Sequence, residues 1–70
     1  MDKYEIIIYW SDEDNAYISE IPELPGCIAH GENYELALRN AREAIQLWIK
    51  TAKEFDDLIP EPKGRRLVYA

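Results

Sequence analysis

Apolar and polar positions alternate over residues 3–10, with Tyr4, Ile6, Ile8 and Trp10 on one side and Ile7 and Tyr9 on the other. A period of two, carried by β-branched and aromatic residues, predicts a strand. Its second side is also partly apolar, which places it in the middle of a sheet or sets that side against another subunit. The polar run Ser11-Asp12-Glu13-Asp14-Asn15 predicts a turn, and residues 16–21 predict a second strand hairpinned onto the first. Pro22 removes a backbone donor and ends that strand. Pro25-Gly26 predicts a tight turn, because Pro presets its φ and Gly tolerates a positive one. A short third strand over residues 27–30 follows, and Gly31 closes it.

From Tyr34 onward the spacing becomes three and four. Ala37, Ala41, Ala44, Ile45, Trp48, Ala52 and Phe55 form one stripe, widened by Leu38 and Ile49, which predicts a helix from Tyr34 to about Glu54. Asn33 is placed to cap it, and Glu35 lies in the first turn, where the helix dipole favours negative charge. Alanines on the stripe allow close approach to a sheet. Leu36 and Leu47 fall together on another flank, as surface residues or as a subunit contact. Two prolines and Gly64 predict a loop after Phe55, and residues 65–69 a final strand. The expected fold is therefore α+β, in the order β-β-β-α-β. It is a two-layer sandwich whose four-stranded sheet is covered on one face by one helix, with strands three and four parallel across the helical crossover.

Seventy residues make a single domain, 1–70. With 8 basic and 14 acidic residues the net charge is −6, which argues against direct nucleic-acid binding and suits a basic protein partner. One cysteine excludes an internal disulfide and fits the cytoplasm. No apolar run approaches the ~20 residues of a membrane span.

Little in the chain points to catalysis. Asp12, Glu13 and Asp14 are adjacent rather than spaced as in a calcium loop. Cys27 and His30, three apart on a strand, point to opposite faces, so neither a zinc site nor a thiol–imidazole pair is expected. No glycine-rich phosphate loop and no G-x-S-x-G elbow are present. These features predict no enzyme, no metal and no cofactor.

The stretch Pro22-Glu23-Leu24-Pro25-Gly26-Cys27, then Gly31-Glu32-Asn33, then Ala37-Leu38-Arg39-Asn40-Ala41-Arg42-Glu43-Ala44-Ile45 resembles the HicB-like antitoxin family. The likeness runs from the first strand to Ile59-Pro60-Glu61-Pro62. Two departures are that Glu32-Asn33-Tyr34 stands where Asp-Thr-Leu is common, and that Leu36 replaces a usual Glu, which removes the capping box. The resemblance implies a partial ribonuclease H-like fold with strand order 3-2-1-4, and a partner in the small basic HicA toxin, which cleaves messenger RNA. It also implies dimers or tetramers. Ile7 and Tyr9 on the open sheet face, or Leu36 and Leu47 on the helix flank, are the candidate contacts, and Glu20, Glu23 and Glu32 the candidate toxin-facing residues. Full-length members often carry a C-terminal DNA-binding segment, and none is expected here. One alternative is an orphan regulatory or structural module without a toxin. A second is a metal-dependent nuclease built on Glu5 and Glu20, for which two carboxylates are too few.

Overall fold

The structure, a computed structural model, describes residues 3–62. Its elements are β1 (Ile7–Ser11), β2 (Ala16–Glu20), β3 (Ile28–Gly31) and α1 (Tyr34–Glu54). The helix begins where the periodicity places it. Asn33 is extended, and its side-chain oxygen accepts from the Leu36 amide at 2.8 Å. This satisfies one of the first-turn amides that a helix leaves unpaired.

The sheet departs from expectation. Among the described residues it has three antiparallel strands in the order β1-β2-β3, not four in the order 3-2-1-4, and β2 is the middle one of these three. Each connection is a short reversal, so each strand pairs with the one before it. The strand expected over residues 65–69 lies outside the described residues. The first strand is also shorter than its alternation suggests. Its pairing with β2 ends at Ile7 opposite Glu20, because beyond Glu20 the partner chain turns away. Residues 3–6 therefore run ahead of the ladder, and the Glu5 amide donates instead to the Glu23 carboxylate at 2.7 Å.

Residues 21–27 form two β-turns that share Leu24. The Leu24 amide donates to the Ile21 carbonyl, the Cys27 amide to the Leu24 carbonyl, and the Ile21 amide to the Cys27 carbonyl across the mouth. Pro22 and Pro25 each take the position whose φ proline presets, and Gly26 has φ +77°, as a type II turn requires at its third residue. Leu24, at the joint, is 1% exposed. The core gathers Tyr4, Ile21, Leu24 and Cys27 against Ala41 and Ile45 of α1. The Trp48 indole N–H donates to the Pro25 carbonyl at 2.9 Å, and the Tyr4 hydroxyl to the Pro60 carbonyl. Both bonds fasten loop segments to this core.

Phe55 departs from the predicted stripe and is 70% exposed. It is the C-cap, where the chain leaves the helix. Past it, the Asp56 amide donates to the Lys53 carbonyl and the Asp57 amide to the Ala52 carbonyl, with Asp56 at φ +57°. This is a Schellman ending with aspartate where glycine is usual. Asp56→Gly is expected to stabilise the protein by about 0.5–1 kcal/mol, because it relieves the left-handed backbone and removes a negative charge from the helix C-terminus. Urea denaturation checks this, and an unchanged midpoint would count against that ending.

Candidate protein-binding site

Cross-strand partners in an antiparallel sheet share a face. One face carries the rows Ile8–Ser19–Ala29 and Trp10–Tyr17–Gly31, and the other carries Ile7–Glu20–Ile28 and Tyr9–Ile18–His30. The helix lies on the first. There the fully buried Ser19 hydroxyl donates to the Ala37 carbonyl at 3.1 Å, and Gly31 abuts the Ala37 backbone. The contact is this close because Ala37 and Ala41 carry only methyl groups, both 0% exposed.

The second face has no helix among the described residues. Ile7, Tyr9 and Ile28 are exposed on it, around a hollow of about 380 Å³ lined by Tyr9, Asp14, Ala16, Ile18, Ile28, Ala29 and His30. The Tyr9 hydroxyl donates to the Glu20 carboxylate at 2.9 Å. That carboxylate, with desolvation and the charge of Asp14 adding to it, pushes the Tyr9 ionisation up. Alternation in the sequence places Ile7 and Tyr9 together on one side, and Ile18 and Ile28 join them through the strand register.

The three acidic candidates do not converge. Glu20, at the end of β2, is half-buried and bonded to Tyr9. Glu23 is 7% exposed, and its carboxylate accepts from the Glu5 amide. Glu32 is exposed beyond the far end of β3, about 13 Å along the strand from the Glu20 row at the usual rise. Glu5 precedes β1, so the two carboxylates of the nuclease alternative do not stand on neighbouring strands. Among the described residues no group of three His, Cys, Asp or Glu side chains can hold a metal ion. No helix among them is long and apolar enough to cross a membrane.

Leu36 is half-buried and Leu47 is 64% exposed. Leu47 stands on the rim of a second hollow of about 440 Å³, between the Gly26-Cys27 turn and the Ala44, Trp48 and Ala52 side of α1. His30, on the open face, has its carbonyl held by the Asn40 side-chain amide at 2.7 Å, and this occupies part of the β3 edge. Cys27 is buried, and desolvation raises its thiol pKa. At neutral pH the thiol is therefore protonated. Reaction with a disulfide reagent is expected to be slow in the folded protein and fast in denaturant. Equal rates in the two conditions would place Cys27 at the surface.

A family model described as "HicB_like antitoxin of bacterial toxin-antitoxin system" matches residues 4–67. The UPF0150 protein Ta0767 of Thermoplasma acidophilum is 37% identical over 65 residues, 93% of each chain. The UPF0150 protein ssl0259 of Synechocystis is 37% identical over 57 residues, covering 81% of this chain and 77% of that one. An uncharacterized 14.9 kDa protein of Haemophilus phage HP1 is 33% identical over 48 residues, 69% of this chain but 36% of its own. No solved structure matches significantly.

Proposed function

The chain belongs to the HicB-like antitoxin family, and from that premise we propose that it is a cytoplasmic binding protein that sequesters and neutralises a small basic toxin of the HicA type. The observation that carries this reading is the family match over residues 4–67. The net charge of −6 supports it, since complementary charge speeds encounter with a basic partner. No catalytic step is assigned to the chain. Of the three acidic candidates, Glu32 has the exposed carboxylate that a rim contact needs. Glu20 shares its carboxylate with Tyr9, and Glu23 directs its own inward to Glu5. Co-expression with the product of the adjacent reading frame tests the proposal. The two proteins are expected to co-purify, and growth arrest by the neighbour alone is expected to be relieved. A neighbour that is not a small basic protein, or that neither binds nor arrests growth, would leave the orphan-module reading in its place.

The open sheet face supports self-association. Ile7, Tyr9 and Ile28 leave an apolar patch there of the kind that meets a partner, and a two-fold pairing buries it twice. Leu36 and Leu47 on the helix flank are the lesser candidates, because Leu36 is already half-buried. Sedimentation equilibrium is expected to show a dimer or tetramer, and Ile7→Lys to shift it to monomer with the fold intact. An 8.2 kDa monomer at all concentrations would refute the assembly.

A further inference from the structure

Charge is segregated along this chain. Between Tyr4 and Leu38 it has eight carboxylates and no lysine or arginine, and seven of its eight basic residues follow from Arg39 onward. The first stretch holds all three strands of the described residues and the first turn of α1. Within it three aromatic rings touch in series. Trp10 meets Tyr17 edge-on, with centroids 5.1 Å apart and planes at 71°, and Tyr17 lies tilted against Tyr34 at 4.3 Å and 37°. The rings come from β1, β2 and the first residue of the helix.

Tyr17, the middle ring, is half-buried, and packing of the helix on the sheet accounts for it. It does not account for the outer rings, since Trp10 is 46% and Tyr34 60% exposed. The Trp10 indole N–H donates to Asp12 Oδ1 at 2.7 Å, which fixes a carboxylate at the edge of the ring. One such bond uses only part of what a carboxylate can accept. A ring face with a carboxylate at its edge matches a guanidinium, which stacks flat on the ring while its N–H groups reach the carboxylate. An ammonium group has no flat face to stack. Glu32 and Glu35, both exposed, flank Tyr34 in the chain and keep the surroundings anionic.

Resting on the antitoxin reading, we infer that the Trp10–Tyr17–Tyr34 ladder with Asp12 is the docking surface for an arginine side chain of the basic partner protein. Acidic residues alone attract any cation, whereas the rings select arginine over lysine. This surface lies on the helix side of the sheet, so self-association through the open face leaves it accessible.

Octa-arginine and octa-lysine peptides, equal in charge, serve as probes, with affinity measured by isothermal titration calorimetry in every variant and the site located in wild type by the NMR shift of the Trp10 indole proton. Octa-arginine is expected to bind about three- to tenfold more tightly. That preference should fall to near unity in Trp10→Ala and in Tyr34→Ser, and persist in Phe55→Ala, an exposed aromatic at the other end of α1. Circular dichroism establishes that each variant is folded, and Tyr34→Ser keeps the test open if Trp10→Ala is not. Equal affinity for the two peptides, or a preference that survives in a folded ladder variant, overturns the inference. With the adjacent reading frame's product as ligand, loss of Trp10 should weaken binding more than about tenfold. If that product binds wild type and Trp10→Ala alike, the ladder is refuted while the antitoxin reading stands. If it does not bind wild type at all, the antitoxin reading falls and the partner assignment of the ladder falls with it, whatever the peptides show.

Discussion

Replacing Gly31 with alanine is expected to cost about 3 kcal/mol or more, the upper range for forcing atoms into a packed interior. A Cβ at this position would stand 2.4 Å from the Ala37 nitrogen, 2.7 Å from the Leu36 carbonyl carbon and 2.9 Å from the Ala37 Cα. All three are backbone atoms of the first turn of α1, so no side chain can swing aside. The helix must withdraw, and the Ser19–Ala37 hydrogen bond beneath it lengthens as it does. A chain of this length has roughly 4–10 kcal/mol of stability in total, and about 3 kcal/mol lowers the melting temperature by roughly 12–24 °C. Gly26 provides the control. There a Cβ meets nothing within 4 Å, but φ is +77°, so Gly26→Ala carries only the left-handed backbone cost of about 1–2 kcal/mol. Thermal unfolding of the two variants separates steric exclusion from backbone strain. A Gly31→Ala midpoint no lower than that of Gly26→Ala would mean that helix and sheet are further apart than described.

Leu24→Ala should destabilise by about 2–5 kcal/mol, the range for truncating a buried leucine. Leu24 is 1% exposed and packs with Ile21, Cys27 and Ile45, although it belongs to a turn rather than to a strand or helix. Both of its backbone polar groups are bonded within the double turn, so its side chain is held in place from its own main chain. A cavity there cannot close without opening one of those turns. Urea unfolding measures the loss, and a cost below about 1 kcal/mol would show that the turn merely covers the core. Leu58, at 93% exposure, is a fitting comparison, and its truncation is expected to change stability by less than about 0.5 kcal/mol.

Local chemistry made much of this legible. The Asn33 cap, the helix through Glu54 and the positive φ of Gly26 each follow from a residue and its immediate neighbours. The motif Pro22-Glu23-Leu24-Pro25-Gly26-Cys27 identified the family, but its physical reason emerged only with the double turn. Leu24 reads in sequence as one apolar residue between prolines, and its burial depends on where Ile45 and Cys27 lie. In sequence Glu23 stands with Glu20 and Glu32 as a toxin-facing candidate, and nothing local shows that the Glu5 amide, 18 residues earlier, donates to its carboxylate.

By itself the sequence determined the alternating faces of β1, the capped helix with its alanine-lined side, the turn-rich segment before β3 and the family, because each is written in short-range periodicity or in residue types at fixed spacing. The tertiary structure alone decided strand order, the length of β1 and which exposed groups stand together. It put β2 between β1 and β3, drew Ile18 and Ile28 onto the face of Ile7 and Tyr9, and set the rings of Trp10, Tyr17 and Tyr34 in series. Those outcomes depend on register and on how closely helix and sheet approach. Both are set by contacts between residues far apart in the chain, such as Gly31 against the Ala37 backbone and Ser19 on its carbonyl.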